Sequence, residues 1–324
     1  MGKQQPSMAV TGADMDDIGS VLTNLGFTWS PYSNKILIGN SKPDVIFVNC
    51  GSATNDPSLV GFVRDGGVVY VSDHACTDVE MLLSSEPTSV QFDFSGVEGI
   101  YEAKVLDQNL ITYLDSEHLN LHFDMSAWVR VVTPPARSNL LLEVEGLPVL
   151  FTYNLGKGTV IFTSFHNSAQ QSDIERKLIA YLALKPLLRS KTIRTVRETT
   201  RRGGIVEILL EAEPVLVTGS SVDIPVDLNQ KSGRLTAELS WIDSSIIEMS
   251  LLKNGIPLTT EVSKMPPFRI SGSVSVSSSE SSDAYSMRLS LKETLVQSLL
   301  CSLVVSIESE DSDSRSELKK LLGD

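Results

Sequence analysis

Residues 44–76 read DVIFVNCGSATNDPSLVGFVRDGGVVYVSDHAC and contain two short apolar runs, at 45–48 and 68–71. Between these runs, apolar residues recur at helical spacing over 59–63. A strand, a helix and a second strand in about thirty residues are typical of a βαβ unit, whose crossover makes the two strands parallel. Both runs are apolar throughout, which indicates a sheet covered on both faces. The stretch therefore predicts a parallel α/β fold.

Polar residues follow each of these strands directly. In a parallel sheet the ligand crevice lies at the carboxyl ends of the strands, so we expect the turns after 45–48 and 68–71 to line it. A later apolar strand, 160–163, ends in the same way. The predicted crevice residues are Asn49, Cys50, Gly51, Ser72, Asp73, His74, His166 and Asn167.

Length and composition restrict the class of protein. The chain has 324 residues, enough for two domains, and 41% of them are hydrophobic, enough to form cores. A net charge of −13 disfavours nucleic acid as a partner. No apolar run approaches the length of about 20 residues that a membrane span needs, and the first residues lack an apolar signal core. Three widely spaced cysteines favour a reducing compartment. We therefore expect a cytoplasmic protein without a membrane partner.

A basic segment separates two halves of different pattern. Residues 185–202 hold seven Lys or Arg and one Glu, and a pair of glycines follows them. After this segment, short β-type runs succeed one another without strong helices, which indicates an antiparallel β-sandwich. The predicted domains are an α/β domain at 1–186, a basic linker at 187–204, a β-sandwich at 205–308 and a charged tail at 309–324.

Three segments of the first half carry a resemblance to a known family. Residues 44–51 are similar to a strand that ends in an oxyanion-hole glycine turn, and residues 66–75 to a nucleophile-elbow strand and turn. Residues 156–167, GKGTVIFTSFHN, are similar to the late strand that delivers a catalytic histidine, here His166. About the first 185 residues thus resemble the class I glutamine amidotransferase-like family, in its trehalose-utilisation-type branch. The resemblance implies a parallel-sheet, flavodoxin-like domain.

The elbow departs from the catalytic members of that family. Their elbow reads Gly-x-Cys-x-Gly, whereas residues 71–75 read VSDHA. The nucleophile position falls on Asp73, or on Ser72 if the alignment is shifted by one residue. A thiolate forms an acyl-enzyme at such a turn, but a carboxylate does not form a useful one from an amide at neutral pH. Glutaminase activity is therefore not expected.

A fainter resemblance belongs to the second half. Residues 233–241, GRLTAELSW, resemble part of the accessory jelly-roll domains that are attached to secreted peptidases. The acidic calcium-binding pattern of those domains is missing at 247–251, which read IEMSL. The resemblance therefore implies a β-sandwich fold class without a calcium site.

Two groups of titratable residues lie outside the crevice. Asp14, Asp16 and Asp17 precede a helical pattern, and we interpret them as negative charges that complement the dipole at the helix start. His118 and His122 alternate with apolar residues, as on a strand. That alternation places both histidines on the polar face of the strand, where solvated side chains are common.

Two functions are compatible with these features. The first is a non-catalytic binding or assembly protein that has a protein partner or self-associates, with a small-molecule ligand left open. The second is a hydrolase in which Asp73 and His166 activate a water, or in which Ser72 is the nucleophile. The fold is expected to bring Asp73 and His166 into contact, with the turn at 50–51 alongside. No cofactor or metal is predicted, because the turns offer no third ligand at a matching position.

Overall fold

A computed structural model of the chain describes residues 7–37, 42–170, 177–178, 181–182, 206–228, 231–241, 245–265, 268–275, 284–293 and 298–309. The chain divides into two compact units, Met1–Ser190 and Lys191–Asp324. The predicted basic linker lies outside the described residues, as do all but one residue of the predicted tail. The predicted domain boundaries therefore stay predictions.

A nine-stranded sheet forms the first unit. Its strands are β1 (Met8–Val10), β2 (Ser30–Pro31), β3 (Val45–Val48), β4 (Val68–Ser72), β6 (Gly99–Val105), β7 (His118–Phe123), β9 (Asn139–Val144), β10 (Leu147–Leu155) and β11 (Gly158–Thr163). They lie in the order β2-β1-β3-β4-β11-β10-β9-β6-β7. A separate two-stranded ribbon pairs β5 (Gln91–Asp93) with β8 (Arg130–Thr133).

The sheet is parallel in one half and antiparallel in the other. Strands β2, β1, β3, β4 and β11 are mutually parallel, whereas β10, β9, β6 and β7 continue with antiparallel pairings. The change of direction has a local cause, because only two residues join β10 to β11, and a connection that short allows only a hairpin. The predicted α/β fold is confirmed, with an antiparallel extension.

Four helices of the first unit are described: α1 (Ile18–Asn24), α2 (Ser58–Arg64), α3 (Thr77–Leu83) and α4 (Gln108–Leu114). Two 3-10 turns, Asn34–Leu37 and Asp73–Cys76, add to them. Helix α2 is the crossover between β3 and β4, and it buries Leu59, Phe62 and Val63. Its apolar spacing is the pattern that predicted it. Among the described residues, no helix is long and apolar enough to span a membrane.

The centre of the sheet is apolar on both faces. Every residue of β3, β4 and β11 is buried. Each large aliphatic or aromatic side chain removed from water stabilises the fold by about 1.5–3 kcal/mol before the entropy cost of ordering it. The carboxyl ends of these three strands are therefore fixed by the best-packed part of the unit.

The second unit consists of antiparallel sheets. Its strands are β12 (Val206–Ala212), β13 (Val215–Val217), β14 (Ser221–Val226), β15 (Gly233–Ser240), β16 (Ile246–Lys253), β17 (Ile256–Ser263), β18 (Phe268–Val274), β19 (Tyr285–Glu293), β20 (Ser298–Leu300) and β21 (Ser302–Ser309). Two four-stranded sheets, β12-β21-β15-β18 and β14-β19-β16-β17, contribute to one apolar core, and β13 pairs with β20. The predicted antiparallel sandwich is confirmed.

Gly158, at the start of β11, makes a close backbone approach that leads to a prediction. A Cβ atom there would lie 2.1 Å from the carbonyl oxygen of Gly67 and 2.2 Å from that of Val63. Because neither backbone oxygen can move without disturbing β4 or α2, Gly158→Ala should lower the free energy of unfolding by about 1–3 kcal/mol. Pulse proteolysis across a series of urea concentrations measures this change in the free energy of unfolding.

Gly61, inside α2, is the matched control. A Cβ atom there meets nothing within 4 Å, so Gly61→Ala should stabilise the helix by about 0.5–1 kcal/mol. Equal effects of the two substitutions would contradict the packing described for Gly158.

Candidate functional site

The turn after β4 has the geometry of a strand-to-helix elbow. Strand β4 ends at Ser72, a 3-10 turn covers Asp73–Cys76, and α3 begins at Thr77. Asp73 has a φ of 44°, in the left-handed region that few residues other than glycine adopt. A strained residue between a strand and a helix is the form of a nucleophile elbow. The structure places Asp73, and not Ser72, in that strained position.

Asp73 is fully buried, and both of its carboxylate oxygens have partners. Oδ1 accepts a hydrogen bond from the backbone N–H of Val129 at 2.6 Å. Oδ2 lies 3.4 Å from Nε2 of His166 and accepts a hydrogen bond from the Cys50 thiol at 3.8 Å. The predicted contact between Asp73 and His166, with the Cys50 turn alongside, is confirmed.

His166 lies between two carboxylates. Its Nε2 faces Asp73, and its Nδ1 lies 2.8 Å from Oδ1 of Asp124, whose side chain is 37% exposed. Burial by itself lowers the pKa of His166, but the interactions with Asp73 and Cys50 and the charge of Asp16 outweigh burial and raise the pKa to about 11. The imidazole of the protein alone is therefore an imidazolium at neutral pH.

Asp124 is a site residue that the sequence interpretation missed. It directly follows β7, which lies at the far edge of the sheet from β4. The rule that gathers side chains at the carboxyl ends of parallel strands does not extend to an antiparallel edge strand. The sequence offered only a weaker signal for Asp124, namely that a carboxylate directly follows a strand in which apolar and polar residues alternate.

Three predicted crevice residues hold the turns together. Ser72 Oγ accepts a hydrogen bond from the backbone N–H of Cys50 at 3.0 Å and donates one to Asp16 at 2.9 Å. The Asn49 side-chain amide donates to the carbonyl oxygens of Thr11 and Gly12. Asn167 donates to Asp16 through its backbone and its side chain, and accepts a hydrogen bond from Tyr70.

Asp16 is the centre of this network. The early aspartates have different positions: Asp17 caps α1 by accepting from the Ser20 N–H, whereas Asp16, directly before the cap, is buried. Asp16 accepts six hydrogen bonds. They come from the backbone N–H groups of Asp17, Asn167 and Ser168 and from the side chains of Ser72, Asn167 and Ser168. The helix-dipole interpretation does not account for the burial of Asp16 or for the five hydrogen bonds that it accepts from beyond the helix start.

The remaining crevice residues and histidines have peripheral positions. His74 lies 2.9 Å from the Ala127 carbonyl oxygen and is partly exposed, and Gly51 adopts a φ of 81° beside Asp14. His118 and His122 alternate with buried residues along β7, so their strand position is as predicted. Within the part of the chain that the structure describes, the side chains of His118 and His122 form no hydrogen bond or ion pair with the elbow residues 72–76.

Gln170 ties the turn after β11 to the edge of the sheet. Its side-chain amide donates to the carbonyl oxygens of His122 and His166, at 2.9 and 2.7 Å. Its Oε1 accepts a hydrogen bond from the His122 N–H at 3.0 Å. The segment that carries His166 is thus fixed to β7 as well as to Asp16.

A segment around Trp128 lies against the elbow. The backbones of Gly96, Ala127 and Trp128 are joined by two hydrogen bonds, and the Trp128 indole donates to the Val97 carbonyl oxygen at 2.8 Å. The same segment supplies the Val129 N–H that binds Asp73. The elbow is therefore covered by the protein's own chain.

An open cleft lies elsewhere along the same edge of the sheet. Its volume is about 620 Å³, and it is lined by the segments that follow β1, β2 and β3. Strand β1 pairs with β2 on one side and β3 on the other, so the connections diverge at this point of the sheet. Open α/β sheets bind ligands at such a switch point. The lining is polar and includes Tyr32, whose hydroxyl donates to Asp56 at 2.7 Å.

The elbow also contains a set of metal-ligand atoms. Cys50, Asp73 and His166 are buried, and one ligand atom of each lies within 4.8 Å of the others. The sequence interpretation found no third ligand at matching turns, and the structure supplies Cys50 in that position.

The chain has distant likenesses among solved structures. No model of a protein family matches the chain, and no curated protein matches it. Similar solved structures include a putative GMP synthase component from Thermoplasma acidophilum, with 13% identity and a TM-score of 0.44 over 60% of this chain and 98% of the other. A glutamine amidotransferase from Thermotoga maritima has 15% identity and a TM-score of 0.38 over 61% and 91%.

A third similar structure is longer than this chain. A β-galactosidase from Bacillus circulans sp. alkalophilus has 13% identity and a TM-score of 0.40 over 87% of this chain and 41% of its own. Proteins described as glutamine amidotransferases are thus among the similar structures. The fold assignment itself rests on the strand order and the elbow. Membership of the trehalose-utilisation-type branch stays a prediction.

The raised pKa of His166 predicts a pH dependence of stability. Because the pKa is raised in the folded state from 6.5 to about 11, the stabilisation is complete below pH 6.5 and is lost as the pH rises towards 11. The difference in unfolding free energy between the wild type and His166→Gln should therefore shrink above about pH 6.5. Urea denaturation of both proteins at a series of pH values, in the presence of a chelator, measures this difference.

His118→Gln is the control, because His118 is half exposed on β7. The substitution leaves the contacts of His166 in place, so the unfolding free energy of this variant should follow that of the wild type across the alkaline range. A constant difference between the wild type and His166→Gln across the alkaline range would contradict the assigned imidazolium.

Proposed function

We propose that this protein is a non-catalytic binding or assembly protein built on an amidotransferase-like fold. One observation carries the proposal: Asp73, in the nucleophile position, is fully buried, and both of its oxygens are engaged by Val129, His166 and Cys50. A nucleophile must reach the substrate carbonyl, and a carboxylate held this way reaches none. The elbow therefore serves to join turns.

The neighbouring nucleophilic groups support the same proposal. The Ser72 hydroxyl is buried and donates a hydrogen bond to the Asp16 carboxylate. In a hydrolytic triad the serine hydroxyl instead donates to a histidine that acts as the base, so Ser72 does not have the triad arrangement. Burial raises the pKa of the Cys76 thiol to about 12, with further contributions from Glu80 and Asp73, so Cys76 stays protonated at neutral pH.

Two surfaces are available for binding. The cleft beside β1 and β3 is open and has the size of a small-molecule site. Strand β17 lies at the edge of its sheet with Ile256, Leu258 and Val262 exposed, and an edge strand can accept a strand from another chain. A small ligand and a protein partner or second copy therefore each have a surface that suits them.

A hydrolase remains the second candidate. The observation that favours it is the row Asp73, His166 and Asp124, in which a carboxylate faces each ring nitrogen of the histidine. Such a row can activate a water when the water reaches it. The two candidates give opposite results when Asp73 is changed.

Asp73→Asn provides the test. The amide keeps an acceptor for the Val129 N–H but loses the charge that faces His166. We expect the free energy of unfolding to fall by about 1–3 kcal/mol, the scale of a lost charge-assisted hydrogen bond. We also expect no hydrolysis of glutamine or of chromogenic ester, amide and glycoside substrates by the wild type.

Asp65→Asn is the matched control, since this carboxylate is 75% exposed and lies 3.9 Å from Lys42. It should change the unfolding free energy by less than about 0.5 kcal/mol. A hydrolytic activity that Asp73→Asn abolishes at unchanged stability, and that Asp65→Asn retains, would favour the hydrolase and overturn the proposal.

A further inference from the structure

Three ligand-type side chains converge at the ends of the three central strands. Cys50 follows β3, Asp73 follows β4 and His166 follows β11, and all three are buried. Asp73 Oδ2 lies 3.4 Å from His166 Nε2 and 3.8 Å from Cys50 Sγ. Tetrahedral zinc bonds of about 2.0–2.3 Å place ligand atoms about 3.3–3.8 Å apart. Two of the three separations thus already match the edges of a zinc tetrahedron, and all three ligand atoms lie within 4.8 Å of one another.

We propose that Cys50, Asp73 and His166 bind a divalent transition-metal ion, with Zn²⁺ as the best fit. The ligands would be Cys50 Sγ, Asp73 Oδ2 and His166 Nε2. Thiolate and imidazole select zinc-like ions over Mg²⁺ and Ca²⁺, which prefer all-oxygen sites. This site lies beyond the proposed binding function and is independent of it.

The surroundings of the three ligands match those of a metal site. Histidines that bind metals commonly present their second ring nitrogen to a carboxylate, and His166 Nδ1 lies 2.8 Å from Asp124. The Val129 N–H holds Oδ1 of Asp73, which leaves Oδ2 directed at the other two ligands. Within the described residues both ring nitrogens of His166 are buried and face carboxylates at ion-pair distance, and neither makes a hydrogen bond of good geometry, so Nε2 is not committed to a donor or acceptor.

The charges of the set also balance. A thiolate, a carboxylate and a neutral imidazole carry two negative charges, which a divalent cation neutralises. A buried site with no net charge avoids the large cost of an unpaired ion. Among the described residues this group has three such ligands, so a water molecule would complete a tetrahedron. The bound ion would tie the turns after β3, β4 and β11 together.

Cobalt titration of the full chain tests the site. Protein freed of metals with a chelator is titrated with Co²⁺, and we expect one equivalent to bind with a thiolate-to-cobalt charge-transfer band and the intense visible bands of a tetrahedral site. Zn²⁺ should displace the cobalt stoichiometrically. A folded protein that binds no stoichiometric metal, or gives a cobalt spectrum without the sulfur band, would overturn the proposal.

Cys50→Ser identifies the ligand, with Cys301→Ser as the matched control because Cys301 is a buried cysteine of the second unit. Cys50→Ser should lose the charge-transfer band and at least tenfold in affinity, whereas Cys301→Ser should match the wild type. Equal affinity and spectra in both variants would overturn the assignment.

Asp124→Asn keeps the test decisive if Cys50→Ser fails to fold. Asp124 acts through His166 as a positioning residue and is outside the ligand set. Its substitution should weaken Co²⁺ binding about 10–100-fold while the charge-transfer band of the saturated protein remains. Unchanged affinity in the folded Asp124→Asn variant would contradict the inferred geometry.

Discussion

The buried carboxylate of Asp16 is the interaction on which the first unit's crevice depends. A buried charge is tolerated only when hydrogen bonds replace its water, and Asp16 accepts six of them. Its partners lie on the loop after β1, at the end of β4 and on the turn after β11. Ser72 extends the connection to the backbone of Cys50. Turns that are far apart in sequence therefore share one electrostatic centre.

A strained elbow at Asp73 persists because the groups around it hold its side chain. An unfavourable φ at a non-glycine residue survives when its surroundings determine the conformation strongly. Here the Val129 N–H, the His166 ring and the Cys50 thiol all engage the Asp73 side chain. The geometry that catalytic elbows use to expose a side chain instead holds one in the interior.

The sequence was informative wherever local pattern decides structure. Apolar runs with helical spacing between them predicted the crossover from β3 through α2 to β4, and the strand-end rule brought Asp73 to His166. The roles of Asp16 and Asp124 could not be predicted in this way. Asp16 stands among three similar aspartates, and only the closing of the chain decides which one is buried. Asp124 reaches His166 because β7 returns along the far edge of the sheet, and no local pattern gives the position of that edge strand relative to β11.

Gln170 also protects the edge of the sheet against aggregation. Edge strands expose main-chain groups that can recruit another molecule and start aggregation. At His122 of edge strand β7, the Gln170 amide occupies both the N–H and the C=O that an incoming peptide would use. One side-chain amide thus imitates one peptide unit of a tenth strand. Because the same amide also binds the His166 carbonyl oxygen, the resistance of this edge to aggregation is coupled to the integrity of the crevice.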